Sequence, residues 1–121
     1  NAVGFRDLLF ARSVAAYDSW IQHNAPIVFF DRTFIEALAF SQIIGEPIST
    51  LMLHEAQKRS FHPVVFVCSP WQEIYKSDNE RRHDFEFAKR DYEANCKTYS
   101  DAGYQLIEVP KFSIEDRADF I

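Results

Sequence analysis

Two short apolar runs without polar alternation constrain the fold of this chain more than any other feature. They are "IVFF" at residues 27–30 and "VVFVC" at residues 64–68. A strand in a parallel sheet is buried on both faces, so it reads as a continuous apolar run rather than an alternating one. A third strand is predicted at residues 104–109, "YQLIEV". The chain therefore predicts a parallel sheet of at least three strands.

Helical patterns separate these strands. Apolar spacing predicts a helix over residues 5–23, and a capping box of Thr33 and Glu36 predicts a second helix that ends at Gly45. Further helices are predicted after Ser49, over residues 83–102, and after Ser113. This alternation is typical of the α/β class with a parallel sheet. The length of 121 residues fits a single domain over residues 1–121.

The bulk properties exclude several classes of protein. A net charge of −5 argues against nucleic acid as a partner, because an acidic surface repels phosphate backbones. No apolar stretch approaches the ~18 residues of a membrane span, and no signal peptide opens the chain, so a cytoplasmic protein without a membrane partner is predicted. Because residue 1 is Asn, we expect that residues precede it in the natural protein. Cys68 and Cys96 lack metal-type spacing, which favours two reduced structural thiols over a disulfide.

Asp31 is the first candidate for chemistry, because it follows the first apolar run directly. A carboxylate at the end of a buried strand can hold Mg²⁺ through water or orient a nucleophile beside a triphosphate. The alternative is a surface Asp that helps to cap the helix beginning at Thr33. The pattern alone leaves both interpretations open.

Arg81 and Arg82 are the second candidates, in "KSDNERRHDF" just before a predicted long helix. Guanidinium groups bind phosphate oxygens in a bidentate manner, and a mobile segment can deliver them when nucleotide is present. The alternative is a solvated charge cluster that includes Glu80 and Asp84.

Other side chains give weaker signals. For Trp71 and Tyr75, packing is favoured over stacking on a ligand. The four histidines share no ligand spacing, and no Ser or Cys lies in a nucleophile motif. Neither metal ligation by histidine nor covalent catalysis is therefore predicted.

Taken together, several segments carry a resemblance to a known family. They are "VFFDR", "IEALAFSQIIGEP", "VFVCSPWQEIYKSDNERRHDF" and "YEANCKTYSDAGYQLIEVPKFSIEDRADFI". In this order they resemble the later part of the predicted ATPase/kinase-like AAA-domain family of P-loop NTPases, which is related to the nicotinamide-riboside kinase domains. The resemblance covers almost the whole chain. It implies a three-layer α/β/α fold with a parallel sheet.

The resemblance also implies roles for particular residues. Asp31 matches the Walker B-like strand end, where it would serve Mg²⁺ or orient the acceptor. Arg81 and Arg82 match a lid-like segment over residues 70–85 that closes over the phosphates. Pro110 and Lys111 match a loop that lies near the nucleotide base in related kinases. The implied cofactors are ATP and Mg²⁺, and the implied partners are the nucleotide and a small-molecule acceptor, with water as an alternative acceptor.

The phosphate-binding loop of this family is absent from the sequence, which contains no Gly-Lys dipeptide. We therefore expect a fold that is incomplete at its N-terminal part and a fragment that is inactive alone. In related kinases the missing strand lies between the strands matching residues 27–30 and 64–68, so an exposed sheet is expected. Either these two strands pair directly, or a second copy supplies the missing contacts, or neighbouring segments outside this sequence do so. If these 121 residues are the whole chain, a homo-oligomer is favoured over a monomer. The alternative function is a non-catalytic protein-interaction module.

Overall fold

The computed structural model describes residues 1–71 and 79–121, with side chains from residue 84 onward in the second range. The chain divides into two compact units, Asn1–Phe61 (unit 1) and His62–Ile121 (unit 2). The described residues form five helices and a two-stranded parallel sheet. The predicted α/β class with a parallel sheet is confirmed. In the described ranges, no helix combines the length and apolar character that crossing a bilayer requires.

Unit 1 contains three helices: α1 (Ala2–Ile21), α2 (Phe34–Ile44) and α3 (Thr50–Gln57). Short-range capping sets their ends. The Thr33 hydroxyl accepts a hydrogen bond from the Ile35 amide at 3.2 Å, and the Ser49 hydroxyl accepts one from the Met52 amide at 3.1 Å. Gly45 ends α2 in the left-handed region, with φ 71°, where a residue without a Cβ is favoured. These predicted helices are confirmed.

The core of unit 1 is built around five rings, which we call the aromatic cluster: Phe10, Tyr17, Phe30, Phe34 and Phe61. Phe34 lies at its centre with 1% exposure, edge-to-face against Phe10 at 6.2 Å between ring centroids. Tyr17 contacts Phe30, Phe34 and Phe61, with ring centroids 5.3 to 5.9 Å apart. Aromatic pairs in these arrangements contribute about 0.5–1.5 kcal/mol each beyond the area they bury. The cluster therefore fastens residues 30 and 61 to helices α1 and α2.

The strand predicted for residues 27–30 is absent, so this prediction is wrong. The segment is described and forms no strand, and none of its residues takes part in a backbone–backbone hydrogen bond within the described ranges. A strand exists only when a neighbour completes its ladder of hydrogen bonds. Here Phe30 packs into the aromatic cluster, while Ile27 and Phe29 are 70% and 77% exposed. Side-chain packing, not sheet pairing, holds this segment.

Unit 2 is a strand–helix–strand unit followed by a short helix: β1 (Val64–Val67), α4 (Asn79–Asp101), β2 (Gln105–Glu108) and α5 (Ile114–Phe120). The two strands pair in parallel, with Val64 opposite Gln105 and Val67 opposite Glu108. Gly103, with φ 97°, lies in the turn between α4 and β2. The Ser113 hydroxyl caps α5 by accepting from the Asp116 amide at 3.2 Å. The strands and helices predicted here are confirmed within a few residues.

Arg59, two residues after the end of α3, joins this part of unit 1 to α1. Arg59 donates through Nε and Nη2 to the two carboxylate oxygens of Asp18, both at 2.8 Å. It also donates through Nη1 to the Glu55 carbonyl at 2.7 Å. The hydrogen bonds from Arg59 hold the pKa of Asp18 below its ordinary value. The pKa of Glu55 is also lowered, mainly by a hydrogen bond from Lys58 and to a lesser extent by one from Arg59.

This network predicts an acid dependence of stability. A carboxyl group whose pKa is lowered by folding stabilises the protein fully above its unfolded pKa, and the contribution disappears as pH falls through the folded pKa. The free energy of unfolding should therefore decrease below about pH 4, the ordinary range of carboxyl groups. Arg59→Gln should lower stability at pH 7 and flatten that decrease. Urea unfolding at a series of pH values measures both effects.

The control is Arg12→Gln, which removes an exposed arginine from the helix that carries Asp18. We expect it to leave the pH dependence unchanged. An Arg59→Gln protein with the same acid dependence as the parent would contradict the assigned role of the network.

Candidate functional site

The parallel pairing of β1 with β2 brings two loops to one edge of the sheet. The Val109 amide donates to the Val67 carbonyl at 2.8 Å, one residue beyond the end of β2. Residues after Val67 and after Val109 therefore leave the sheet side by side. In open parallel α/β sheets, ligands bind outside the carboxyl ends of the strands. This edge is the natural place to search unit 2 for a site.

The loop after β1 carries a hydroxyl and an indole. The Oγ atom of Ser69 is buried and has no hydrogen-bond partner within the part of the chain that the structure describes. Trp71, two residues further on, lies beneath the guanidinium of Arg117, with 5.9 Å from Cζ to the ring centroid. This contact supports the packing interpretation of Trp71. Tyr75 lies outside the described residues.

The loop after β2 carries the predicted pair Pro110 and Lys111. Val109, which is almost fully buried, anchors the start of this loop. The Phe112 amide donates to the Pro110 carbonyl at 3.0 Å, which forms a tight turn around an exposed Lys111. The turn places an ammonium group at the carboxyl edge of the sheet. Contact of this pair with a nucleotide base stays a prediction.

The two cysteines are free thiols, and Cys96 has a phenol beside it. Burial, followed by the hydrogen bond with Cys96, raises the pKa of Tyr92 to about 12. Burial raises the pKa of Cys96 above its ordinary value, although the Tyr92 hydroxyl donates to its sulfur and opposes this shift. Both groups are therefore neutral at pH 7. Cys96 lacks the thiolate character of a reactive cysteine.

Asp31 lies at the turn from the extended segment into α2. It is exposed, and no hydrogen bond or ion pair to it is present in the described ranges. Thr33, not Asp31, supplies the oxygen that caps α2. Arg32 adopts φ 67°, in the left-handed region that is strained for a residue with a long side chain. Its guanidinium lies 3.7 Å from a Glu36 carboxylate oxygen, a weak exposed pair.

The remaining predicted residues are described only in part. Arg81 and Arg82 lie on the backbone of α4, but their side chains are outside the described residues. In the lid-like segment predicted at 70–85, residues 72–78 lie outside the described residues, and residues 79–83 are described by their backbone only. Neither the lid role nor the solvated cluster with Glu80 and Asp84 is tested, and both stay predictions. Asp31 belongs to unit 1, whereas Pro110 and Lys111 belong to unit 2.

Arg6 lines a shallow pocket in unit 1 together with other side chains of α1 and the start of α3. The pocket has a volume of about 270 Å³. Arg6 is buried, and it donates to the Ser41 hydroxyl at 3.1 Å, to the Pro47 carbonyl at 3.2 Å and to the Asp7 carboxylate at 3.0 Å. These bonds neutralise its charge and join α1 to α2 and to the chain after it. We assign Arg6 a structural role.

A comparison with protein families decides which class of domain this arrangement represents. A family model described as "AAA domain" matches residues 1–117. The chain belongs to this family of P-loop NTPases. No curated protein and no solved structure matches the chain significantly. The resemblance inferred from the sequence is confirmed. AAA domains of this class usually bind a nucleotide with Mg²⁺.

The fit of these AAA-domain residues to a nucleotide is partial. An exposed carboxylate at Asp31 has the hard oxygen atoms that Mg²⁺ prefers, although no cluster of three or more metal-ligating side chains occurs among the described residues. Cations at Lys111 and Arg117 suit phosphate oxygens. The sequence analysis did not single out Arg117, which lies in the short helix that follows the last strand.

Proposed function

We propose that the domain containing this chain binds ATP with Mg²⁺ and transfers its terminal phosphoryl group to a small molecule or to water. Membership of the AAA family over residues 1–117 is the observation that carries this proposal. Phosphoryl transfer depends on positioning and electrostatic stabilisation more than on covalent chemistry. A few well-placed carboxylates and cations are therefore sufficient as its protein groups.

Asp31 is the proposed metal-side residue. Its carboxylate is exposed and has no hydrogen-bond partner in the described ranges, so it is available to hold Mg²⁺ through water or to orient the acceptor. The strained backbone at Arg32 supports this assignment, because strain of this kind concentrates at functional sites. When bound, Mg²⁺ neutralises charge on the phosphate oxygens.

Arg81 and Arg82 are the proposed phosphate-side residues, and they would stabilise charge on the transferred phosphoryl group. Pro110 and Lys111 are proposed to contact the nucleotide base. The tight turn at Pro110 and the buried Val109 support a fixed position for this loop. Such positioning reduces the entropy that must be lost when a ligand binds.

The 121 residues contain no Gly-Lys phosphate-binding loop, so we predict that they do not turn over ATP alone. Backbone amides and a lysine of that loop hold the β- and γ-phosphates, and their loss should reduce turnover by several orders of magnitude. Phosphate release and nucleoside phosphorylation assays on the purified chain measure this. Mg²⁺-dependent turnover that disappears in Asp31→Ala would show that the chain is active by itself.

In a longer protein that carries the loop, Arg81→Ala and Arg82→Ala should slow turnover more than they lower stability. Guanidinium groups that face developing charge act mainly in the transition state. At least one variant should be ~10²-fold slower or worse, with an unchanged melting temperature, judged from arginine-finger effects. Lys97→Gln, an exposed cation on the same helix, is the matched control. Full activity in both variants would contradict a catalytic role and favour the alternative, in which Arg81 and Arg82 belong to a solvated surface cluster.

The second candidate function is a non-catalytic module that binds another chain, and the exposed segment 27–30 favours it. Ile27 and Phe29 present apolar side chains beside backbone groups that make no backbone–backbone hydrogen bond in the described ranges. A segment with these properties can add to a sheet in another molecule. We propose a second copy of this chain as that partner.

Self-association through this segment predicts a mass above 14.1 kDa in light scattering at micromolar concentration. Phe29→Ser should shift the population toward the monomer, because it removes apolar contact area from the proposed interface. Leu51→Ser, at a similarly exposed position on α3, should not. A stable monomer that melts cooperatively would exclude this interface.

A further inference from the structure

Three buried polar atoms of unit 2 lack a hydrogen-bond partner among the described residues: Oγ of Ser69, Oδ1 of Asn95 and Nε of Arg117. Two of them belong together in the fold, because Ser69 lies two residues before Trp71 and the guanidinium of Arg117 lies over the Trp71 ring. Buried polar groups in folded proteins are almost always paired, so unpaired ones call for a physical explanation. One explanation is a role in binding a ligand that supplies the missing partner.

The Arg117 guanidinium carries a charge that no carboxylate neutralises in the described ranges. Glu115 and Asp116 lie on the same helix, yet neither forms an ion pair with it. The guanidinium lies over the face of Trp71, with 5.9 Å from Cζ to the ring centroid. A contact with an aromatic face positions a guanidinium without occupying its N–H groups. Nη1 and Nη2 of Arg117 make no hydrogen bond or ion pair within the described residues, so their N–H groups are available to a ligand.

The position of this group in the fold indicates what it binds. Ser69 and Trp71 follow β1 at the carboxyl edge of the sheet, and Lys111 follows the neighbouring strand at the same edge. A guanidinium and a hydroxyl together donate to the oxygens of one oxyanion. Ligands of parallel α/β sheets bind at this edge.

We propose that Ser69 and Arg117 form a subsite for a phosphoryl oxyanion, with Trp71 positioning the guanidinium. Arg117 donates N–H groups to the phosphoryl oxygens, and Ser69 adds its hydroxyl. This subsite rests on the proposed function for its choice of phosphate over other oxyanions. It adds a binding residue in the last helix to the predicted residues Pro110 and Lys111 of the same unit.

Trp71 itself provides the measurement. The chain has two tryptophans, so Trp20→Phe leaves Trp71 as the sole indole. Inorganic tripolyphosphate added to this variant at constant ionic strength should change the Trp71 emission saturably, with a Kd on the order of 1 mM. Phosphorus NMR line widths of the tripolyphosphate report the same binding independently of the indole.

The variants separate this subsite from general charge attraction. Arg117→Gln should weaken binding about tenfold or more, the effect of losing a charged hydrogen bond. Arg117→Lys, which keeps the charge but loses the planar fork, should weaken it less, and Ser69→Ala should weaken it by several-fold. Lys97→Gln, which removes the same charge from α4, should leave it within about twofold. Melting curves establish that each variant is folded.

Three outcomes would overturn the subsite: no saturable binding, equal losses in Arg117→Gln and Lys97→Gln, or citrate binding as tightly as tripolyphosphate with the same dependence on Arg117. Failure of the proposed function is a distinct result. In that case a longer protein that carries the phosphate-binding loop would not transfer phosphoryl groups, although the 121 residues would still bind tripolyphosphate through Arg117. Conversely, a longer protein could transfer phosphoryl groups while Arg117→Gln leaves tripolyphosphate binding unchanged. That result would contradict the subsite but not the proposed function.

Discussion

Parallel pairing between β1 and β2 determines which side chains can meet in unit 2. Parallel strands cannot be joined by a tight turn, so the chain must cross over, and α4 provides that crossover. The carboxyl ends of both strands then face the same way, which places the loop containing Ser69 and Trp71 beside the turn at Lys111. The cap at Ser113 starts α5 soon after this turn, and α5 carries Arg117 to Trp71. One pairing thus organises the whole candidate edge.

In unit 1 no strand pairing organises the structure, because the predicted strand at 27–30 has no neighbouring strand among the described residues. Residues 27–30 are held to the aromatic cluster through Phe30, which packs against Tyr17 and Phe61. The chain must then change from extended to helical geometry between Phe30 and Thr33. The left-handed backbone at Arg32 makes this change possible, and it leaves Asp31 exposed at the bend. Strain is therefore located at the residue beside the proposed metal-side carboxylate.

The range of each interaction explains which features the sequence could predict. Caps at Thr33, Ser49 and Ser113 act over two or three residues, so their signals are local and their helices were predicted correctly. Pairing of residues 27–30 depends on a distant strand, and an apolar run does not reveal whether that strand is present. The contact between Arg117 and Trp71 joins residues far apart in the chain, so the sequence reasoning missed Arg117. Asp31 was chosen from its position after an apolar run, and Pro110 and Lys111 were chosen by resemblance. The structure describes the surroundings of all three without testing their roles.

Arg6, Arg59 and Arg117 illustrate how the fold can either use up a guanidinium or keep it available. Arg6 donates to Ser41, Pro47 and Asp7, and Arg59 donates to Asp18 and Glu55, so both are committed to joining elements of unit 1. Arg117 is held by the face of an indole, which fixes a cation without accepting its hydrogen bonds. In a chain of net charge −5, long-range attraction does not favour anions. The proposed binding of a phosphate group therefore depends on short-range donors, which screening affects least, and Arg117 has N–H groups without a partner among the described residues.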